Sequence, residues 1–202
     1  MRPILILLWC VGVAVSALAQ STNLAPAAGP PAVRVRIETA LGNMEAELDT
    51  QHAPITVSNF LRYVDAGRYR NGDFFRTVTP SNQPTNKVKI EVVQAEANIT
   101  KESDLFPPIP LERTRDTGLH HLDGSLSMAR GLPDSAQDSF SICIGNQPDL
   151  DFGGKRNPDG QGFAVFGRVV QGMDVARKIQ VAPAKGQTLM PPIRISIIVR
   201  IN

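Results

Sequence analysis

Cysteine is scarce in this sequence. The 202 residues include only two cysteines, and Cys10 lies in an apolar N-terminal run that is typical of a cleaved export signal. Without that run only Cys143 remains, so no intrachain disulfide can form and packing must stabilise the fold. The apolar neighbours Ile142 and Ile144 predict a buried thiol rather than a nucleophile, because reactive thiols favour electropositive, accessible surroundings.

An excess of either charge is also missing. The chain has 21 Lys and Arg residues against 19 Asp and Glu residues, which gives a formal net charge of +2. The basic residues are scattered and interleaved with acids, whereas proteins that track a nucleic-acid backbone carry clusters of Lys and Arg. We therefore expect no nucleic-acid partner. Aromatic residues make up only 5% of the chain and form no evident cluster, which disfavours a carbohydrate-binding barrel.

Motifs for metals, cofactors and hydrolysis are lacking. The three histidines include the pair His120 and His121, whose side chains would project to opposite sides of an extended chain and make poor joint metal ligands. The glycines within residues 153–162 lack the spacing of a phosphate loop or a dinucleotide fingerprint. Ser125 and Ser127 lack the flanking glycines of a nucleophile elbow, and the sequence suggests no acid–base partner for them. We therefore predict no metal and no cofactor, and hydrolysis lacks support.

The N-terminal residues predict export. Arg2 precedes an almost wholly apolar run from Ile4 to Val15, and the small residues Ala17 and Ala19 suit a signal peptidase. A membrane anchor is the alternative, but the run is shorter than the ~20 residues that span a bilayer. We therefore expect signal cleavage, no stable membrane insertion afterwards, and a periplasmic or secreted location.

The rest of the chain is expected to form one domain. Residues 1–19 are the predicted signal peptide, the Pro- and Ala-rich residues 20–32 are a flexible linker, and residues 33–202 are the folded domain. Apolar residues alternate in the stretches VRVRIET and MEAELD, which are joined by ALGN. This pattern predicts a β-hairpin at the start of the domain.

Short strands dominate the remaining pattern, with few helices. Val57, Phe60, Leu61 and Val64 have the spacing of one face of an α-helix. Further strands are predicted at Phe74–Val78, Val88–Gln94, Ser125–Ala129, Phe140–Ile144, Ala164–Val170 and the closing RISIIVRI, with a second helix at Met173–Ile179. Seven or eight strands without strand–helix–strand alternation predict a mostly β fold. Its antiparallel sheet would be closed or nearly closed into a barrel that the helices cap.

Several motifs resemble those of one known family. They are FFRTVTP, GSLSMAR, ICIG, LDFGG and FAVFGRVVQGMDVARKI. In order and spacing they resemble the cyclophilins, the peptidyl-prolyl cis/trans isomerases, from about Val33 to Asn202. The resemblance implies a closed eight-stranded antiparallel β-barrel capped by two α-helices. It also implies an isomerase that uses no cofactor and acts on proline-containing polypeptides, with Arg76 as the catalytic arginine and Gln94 as the glutamine that supports it. We expect a monomer.

The resemblance further implies a proline-binding pocket. Its predicted substrate-binding residues are Val92, Ala129, Arg130, Ser139, Ser141, Leu150 and Phe163. Ser139 stands where the family usually has a glutamine, and Ser141 stands where a phenylalanine commonly floors the pocket. Replacing that phenyl ring forfeits on the order of 1.5–3 kcal/mol of apolar contact. Arg130 has an alternative interpretation as a solvated surface charge.

Two functions remain open on these residues. The first is an isomerase that accelerates X-Pro rotation in exported proteins, which the retained Arg76 and Gln94 favour. The second is a noncatalytic peptide-binding or chaperone module on the same barrel, which the loss of the phenyl ring at Ser141 favours.

Overall fold

The computed structural model describes residues 33–201. The predicted signal peptide and linker therefore lie outside the described residues. The strands are β1 Val33–Thr39, β2 Gly42–Leu48, β3 Asp73–Val78, β4 Val92–Glu96, β5 Ser125–Met128, β6 Phe140–Cys143, β7 Ala164–Gln171, β8 Ala184–Lys185 and β9 Thr188–Ile201. The helices are α1 Pro54–Asp65, α2 Thr114–Thr117 and α3 Met173–Gln180.

Eight of these strands close into a barrel. The hydrogen-bonded order is β1-β2-β7-β5-β6-β4-β3-β9, and β9 also pairs with β1, which completes the ring. Every pairing is antiparallel, and the two-residue strand β8 pairs with β9 beside the ring. The predicted mostly β, eight-stranded antiparallel barrel is confirmed. A closed ring leaves no long strand edge exposed to pair with another chain.

The two predicted helices are present as α1 and α3, and α2 adds a single unpredicted turn. Gly118 ends α2 with φ of 72°, a left-handed conformation that glycine adopts without steric cost. Within residues 33–201, no helix is long and apolar enough to cross a membrane.

The predicted hairpin forms the start of the barrel. In β1 and β2, apolar residues that alternate with polar ones are buried, and Val35 pairs with Ala46 while Ile37 pairs with Met44. Each of these four side chains has no exposed surface. The two-residue period of a strand therefore sends one set of side chains into the core and leaves the other outside.

The few aromatic residues are concentrated in the barrel core. The ring of Phe60, on α1, lies 5.2–5.4 Å from the rings of Tyr69, Phe140 and Phe166. All four rings are fully buried. Phe60 of α1 thus packs against Phe140 of β6 and Phe166 of β7. Because its few aromatic rings are gathered in one place, a chain with little aromatic content still builds a dense core.

Cys143 is buried, as predicted. It has no exposed surface and packs in a small apolar cluster on the outer side of β6. Burial is the main cause that raises the pKa of the Cys143 thiol to about 12, and the negative charges of Asp151 and Asp123 contribute to the same shift. The thiolate, which is the nucleophilic form, is therefore scarce at neutral pH.

The predicted strand Val88–Gln94 begins later than its sequence pattern indicates. Strand β4 starts at Val92, and side chains bond the backbone of Val88 and Ile90 before it. The Gln83 amide donates to the Ile90 carbonyl at 2.7 Å and accepts from its N–H at 3.3 Å. Arg156 donates to the Val88 carbonyl at 2.8 Å. This pairing with side chains satisfies the buried backbone without a ladder.

A distant carboxylate caps α1. Ala53 precedes the helix and offers no side-chain cap, so Glu112 accepts from the backbone N–H groups of Ile55 and Thr56 at 3.0 and 2.8 Å. The Thr56 hydroxyl donates to the same carboxylate at 2.6 Å. A negative charge at this end also interacts favourably with the helix dipole.

We expect Glu112→Ala to lower the free energy of unfolding by about 1–2 kcal/mol, the usual cost of a lost N-cap. For a domain of this size that corresponds to a fall in Tm of roughly 2–8 °C in thermal unfolding followed by circular dichroism. The matched control is Glu102→Ala, which removes an exposed carboxylate. Equal melting temperatures for the two variants would contradict the capping role.

Candidate active site

The two faces of β4 define where the site lies. Val93 and Ala95 point into the barrel core, whereas Val92 packs on the outer face in a second, smaller apolar cluster. A cavity of about 140 Å³ opens on this outer face. It is lined by Arg76, Ile90, Val92, Gln94, Ser127, Met128, Ala129, Arg130, Ser141, Leu150 and Phe163. The lining thus contains every predicted site residue except Ser139.

A β-bulge brings Arg76 to this cavity. Phe74 pairs with Ala95 of β4 and Arg76 pairs with Gln94, which leaves Phe75 as an extra residue on β3. Phe74 is fully buried in the barrel core, but Arg76 borders the outer cavity. Residues two apart in a regular strand share a face, so the bulge is what separates these side chains. Arg76 can therefore come two residues after the core residue Phe74 without entering the core.

Two glutamines hold the Arg76 guanidinium. Its Nη1 donates to Gln94 Oε1 at 2.9 Å, and its Nε and Nη2 donate to Gln187 Oε1 at 2.9 and 2.6 Å. Of the five guanidinium N–H groups, two have no acceptor among the described residues. Burial lowers the pKa of Arg76, and the nearby Arg156 lowers it further. An arginine nevertheless stays charged at neutral pH, so the site presents a fixed cation with two N–H donors available.

Ser139 lies behind Gln94 rather than in the cavity lining. Its hydroxyl accepts from Gln94 Nε2 at 3.0 Å and donates to the Ala95 carbonyl at 2.9 Å. These bonds orient the Gln94 amide so that its oxygen faces Arg76. The geometry therefore indicates a positioning role for Ser139, and its direct contact with substrate stays a prediction.

Gln187 was not predicted from the sequence. It follows Gly186 in the turn between β8 and β9, and its own Nε2 donates to the Asn82 carbonyl at 3.2 Å. It is 111 residues from Arg76 in the chain. A polar residue in a turn is ordinary, so no local pattern marks this one as a partner of the arginine.

We expect Gln187→Ala to lower kcat/KM for an Ala-Pro peptide about five- to tenfold, because the guanidinium loses a shared acceptor and its fixed orientation. Gln187→Glu retains an acceptor oxygen and is expected to restore most of the rate. Gln51→Ala, in an exposed turn, is the matched control. A Gln187→Ala variant with the wild-type rate would exclude the positioning role.

The Arg130 side chain is buried, which argues against the alternative of a solvated surface charge. Its guanidinium donates to both Asp159 oxygens at 2.8 and 3.1 Å and to the Gly162 carbonyl at 2.8 and 2.6 Å. It also lies 5.0 Å from the centre of the Phe163 ring. Arg130 thus ties the long 153–162 loop to the rim of the cavity.

The floor of the cavity is polar where two strands meet. Ser127 of β5 pairs directly with Ser141 of β6, and both residues line the cavity. The walls are apolar and come from Val92, Leu150 and Phe163. The site therefore combines apolar walls, a floor of small hydroxyl side chains and one fixed cation.

The chain is not extended at His120 and His121, which was the condition for their side chains to project to opposite sides. The Leu122 N–H donates to the His120 carbonyl at 3.0 Å, so the chain turns here instead of extending. Both imidazole Nδ1 atoms consequently contact Asp151, at 2.9 Å from His120 and 2.6 Å from His121. Across residues 33–201 there is no group of three or more His, Cys, Asp or Glu that could hold a metal ion.

The turn also gives Ser127 a partner. His121 Nε2 lies 2.8 Å from the Ser127 hydroxyl oxygen, an acid–base neighbour that the sequence does not suggest. The sequence could not indicate the contact, because it depends on the turn at His120 and on Asp151 arriving from a different loop.

Comparisons with known proteins agree with this architecture. Residues 34–199 match the family model described as "Cyclophilin type peptidyl-prolyl cis-trans isomerase/CLD". The chain is 38% identical over 162 residues to peptidyl-prolyl cis-trans isomerase A of Dickeya dadantii, covering 78% of this chain and 77% of that protein. It is 32% identical over 147 residues to peptidyl-prolyl cis-trans isomerase B of Escherichia coli, covering 72% of this chain and 83% of that protein.

Solved structures support the fold in the same way. A cyclophilin-type isomerase of Cryptosporidium parvum, crystallised in the presence of the dipeptide Ala-Pro, superposes with a TM-score of 0.67 at 21% identity. The match covers 84% of this chain and 99% of that one. The motifs, the closed barrel and the family match agree, and the chain belongs to the cyclophilin-type peptidyl-prolyl cis-trans isomerase family.

Proposed function

We propose that this protein accelerates rotation about X-Pro bonds by stabilising the twisted bond with Arg76. The observation that carries the proposal is the guanidinium held between Gln94 and Gln187 at an apolar cavity. Two of its N–H groups have no acceptor among the described residues and are free to meet a substrate.

The chemistry explains why one cation is enough. The X-Pro bond is planar through resonance, and its rotation barrier is ~18–20 kcal/mol. As the bond twists, the proline nitrogen becomes pyramidal and regains a lone pair, which can then accept a hydrogen bond. A donor beside that nitrogen stabilises the twisted state more than the planar ground state. No covalent bond breaks, so the step requires neither a nucleophile nor a cofactor.

The cavity supplies the binding part of the reaction. Val92, Leu150 and Phe163 form apolar walls against which a proline ring can pack. Because Gln94 and Gln187 orient the guanidinium before substrate arrives, little reorganisation is needed during the twist. Proline-containing polypeptides are therefore the substrates that fit the site.

The isomerase is proposed to act on exported proteins as a monomer in the periplasm or outside the cell. The apolar run that begins at Ile4 and the small residues Ala17 and Ala19 support this location. The test is to express the full chain with a C-terminal tag and to determine the N-terminus of the exported form. A mature chain that begins at Gln20 supports the proposal, and an uncleaved chain retained in the cell contradicts it.

A noncatalytic peptide-binding module is the second proposal that a specific observation supports. Ser141 puts a hydroxyl on the cavity floor, where a larger apolar side chain would hold proline more tightly. Exchange NMR on an Ala-Pro peptide separates the two functions. Faster cis/trans exchange with catalytic amounts of protein supports the isomerase, whereas binding without faster exchange supports the module.

A further inference from the structure

A serine, a histidine and an aspartate form a continuous chain of contacts beside the cavity. The Ser127 hydroxyl lies 2.8 Å from His121 Nε2, and His121 Nδ1 lies 2.6 Å from Asp151 Oδ1. The backbone N–H of His121 donates to the same carboxylate oxygen at 3.1 Å. His121 is 1% exposed, so the imidazole is held in one orientation between its two partners.

The contacts determine which nitrogen of His121 carries the proton and which one accepts the hydrogen bond from Ser127. Burial raises the pKa of Asp151, but the hydrogen bonds with His121 and His120 outweigh it and the net shift is downward. The ionised carboxylate can only accept, so the His121 Nδ1 proton is donated to Asp151. In the neutral ring Nε2 is then an acceptor, and the Ser127 hydroxyl donates to it. A serine that is activated by a general base has its hydrogen bonds in these same directions, from the hydroxyl to the imidazole and from the imidazole to the carboxylate.

The serine faces the cavity rather than the protein core. Leu126 and Met128, its neighbours on β5, belong to the barrel core, and alternation places Ser127 on the outer face. Across the β5–β6 ladder it faces Ser141, whose small side chain leaves the floor of the cavity open. Ser127 is 3% exposed, so only a compact group that enters the cavity can reach it.

The twisting reaction does not use this arrangement. Rotation about an X-Pro bond breaks no covalent bond, and Arg76 requires no general base. A histidine buried between a carboxylate and a serine hydroxyl at a cavity floor matches the requirements of acyl transfer. The cavity also contains the Arg76 guanidinium, a positive charge that can stabilise an oxyanion.

We propose that Ser127 is a nucleophile with His121 as its general base and Asp151 as the orienting group, and that the pair hydrolyses small acyl esters. Ser127 Oγ bonds to the ester carbonyl carbon while its proton passes to His121 Nε2. The carbon–oxygen bond to the alcohol then breaks, and the alcohol leaves with that proton. Water attacks the acyl-serine with His121 again accepting a proton, which releases the carboxylic acid and restores the serine.

A small alkyl fluorophosphonate tests this directly. Attack by Ser127 forms an oxygen–phosphorus bond, expels fluoride and passes the proton to His121. We expect the folded protein to gain one phosphonyl group, located on the Ser127 peptide by mass spectrometry, and to release p-nitrophenol from p-nitrophenyl acetate. Ser127→Ala is expected to reduce labelling at least twentyfold. Ser58→Ala, which removes an exposed hydroxyl on α1 outside the cavity lining, is the matched control and is expected to keep the label.

A further variant covers the possibility that Ser127→Ala does not fold. Ser141→Phe keeps all three residues but places a ring on the cavity floor beside Ser127, and it is expected to protect Ser127 from labelling by about tenfold. Absence of label on folded wild-type protein, or label on a residue other than Ser127, would overturn the proposal. So would equal labelling after urea unfolding. None of these readouts depends on isomerase activity, so failure here leaves the Arg76 mechanism untouched.

Discussion

Replacing Arg76 with alanine is expected to lower kcat/KM for an Ala-Pro peptide by about 10²- to 10³-fold in a protease-coupled assay. Removing one preorganised donor from a transition state typically costs this much, ~2.7–4 kcal/mol. We expect the loss in kcat rather than in peptide affinity, because the donor interacts with the proline nitrogen only while the bond is twisted. The side chain is half-buried and its strand is held by backbone pairing on both sides, so the barrel should remain folded.

The Arg76→Lys variant is the matched control for Arg76→Ala. Arg76→Lys keeps the positive charge, but a single ammonium cannot bond Gln94 and Gln187 and also direct two donors at the substrate. We expect it to recover less than a tenth of the wild-type rate. A lysine variant with full activity would mean that charge alone is sufficient and that the held geometry has no catalytic role.

Replacing Ser141 with phenylalanine is expected to raise kcat/KM for the same peptide by roughly ten- to a hundredfold. A phenyl ring on the cavity floor supplies about 1.5–3 kcal/mol of apolar contact that the hydroxymethyl group does not. The cavity of about 140 Å³ has space on this floor because Ser141 faces another serine, Ser127. The gain is expected mainly in KM, since proline binds more tightly in both the ground state and the twisted state.

Ser141→Ala is the control for the phenylalanine variant. It removes the hydroxyl without filling the cavity, so we expect a change of less than threefold. If phenylalanine lowered the rate while leaving the melting temperature unchanged, the cavity would not be where the proline ring binds. The location of the site beside Arg76 would then have to be reconsidered.

Secondary structure was predicted most accurately where apolar residues recur with a strict strand or helix period. The β1–β2 hairpin and helix α1 follow from alternation and from helical spacing, and both are present within three residues of their predicted positions. Periodicity failed only at the start of the predicted strand Val88–Gln94, where Gln83 and Arg156 bond the backbone of Ile90 and Val88 from elsewhere in the chain. A strand-like composition therefore indicated an extended segment, but it could not indicate what the segment pairs with.

The site was predictable through motifs and not through long-range contacts. Arg76 and Gln94 were identified because neighbouring strands carry recognisable motifs, and the two side chains are in fact hydrogen-bonded. Gln187 and His121 were missed because each lies in a turn, where local sequence does not reveal which distant side chain it meets. Such partners become visible only when the barrel closes and brings the loops together.

The central claim is that Arg76 acts on the twisted bond rather than on binding. Exchange NMR, which reports peptide affinity and the cis/trans exchange rate in one titration, tests it most directly with wild-type protein and Arg76→Ala. We predict that the two proteins bind an Ala-Pro peptide with Kd values within about threefold, while exchange catalysed by the variant is at least a hundredfold slower. Equal exchange rates, or a loss of rate explained entirely by weaker binding, would contradict the account.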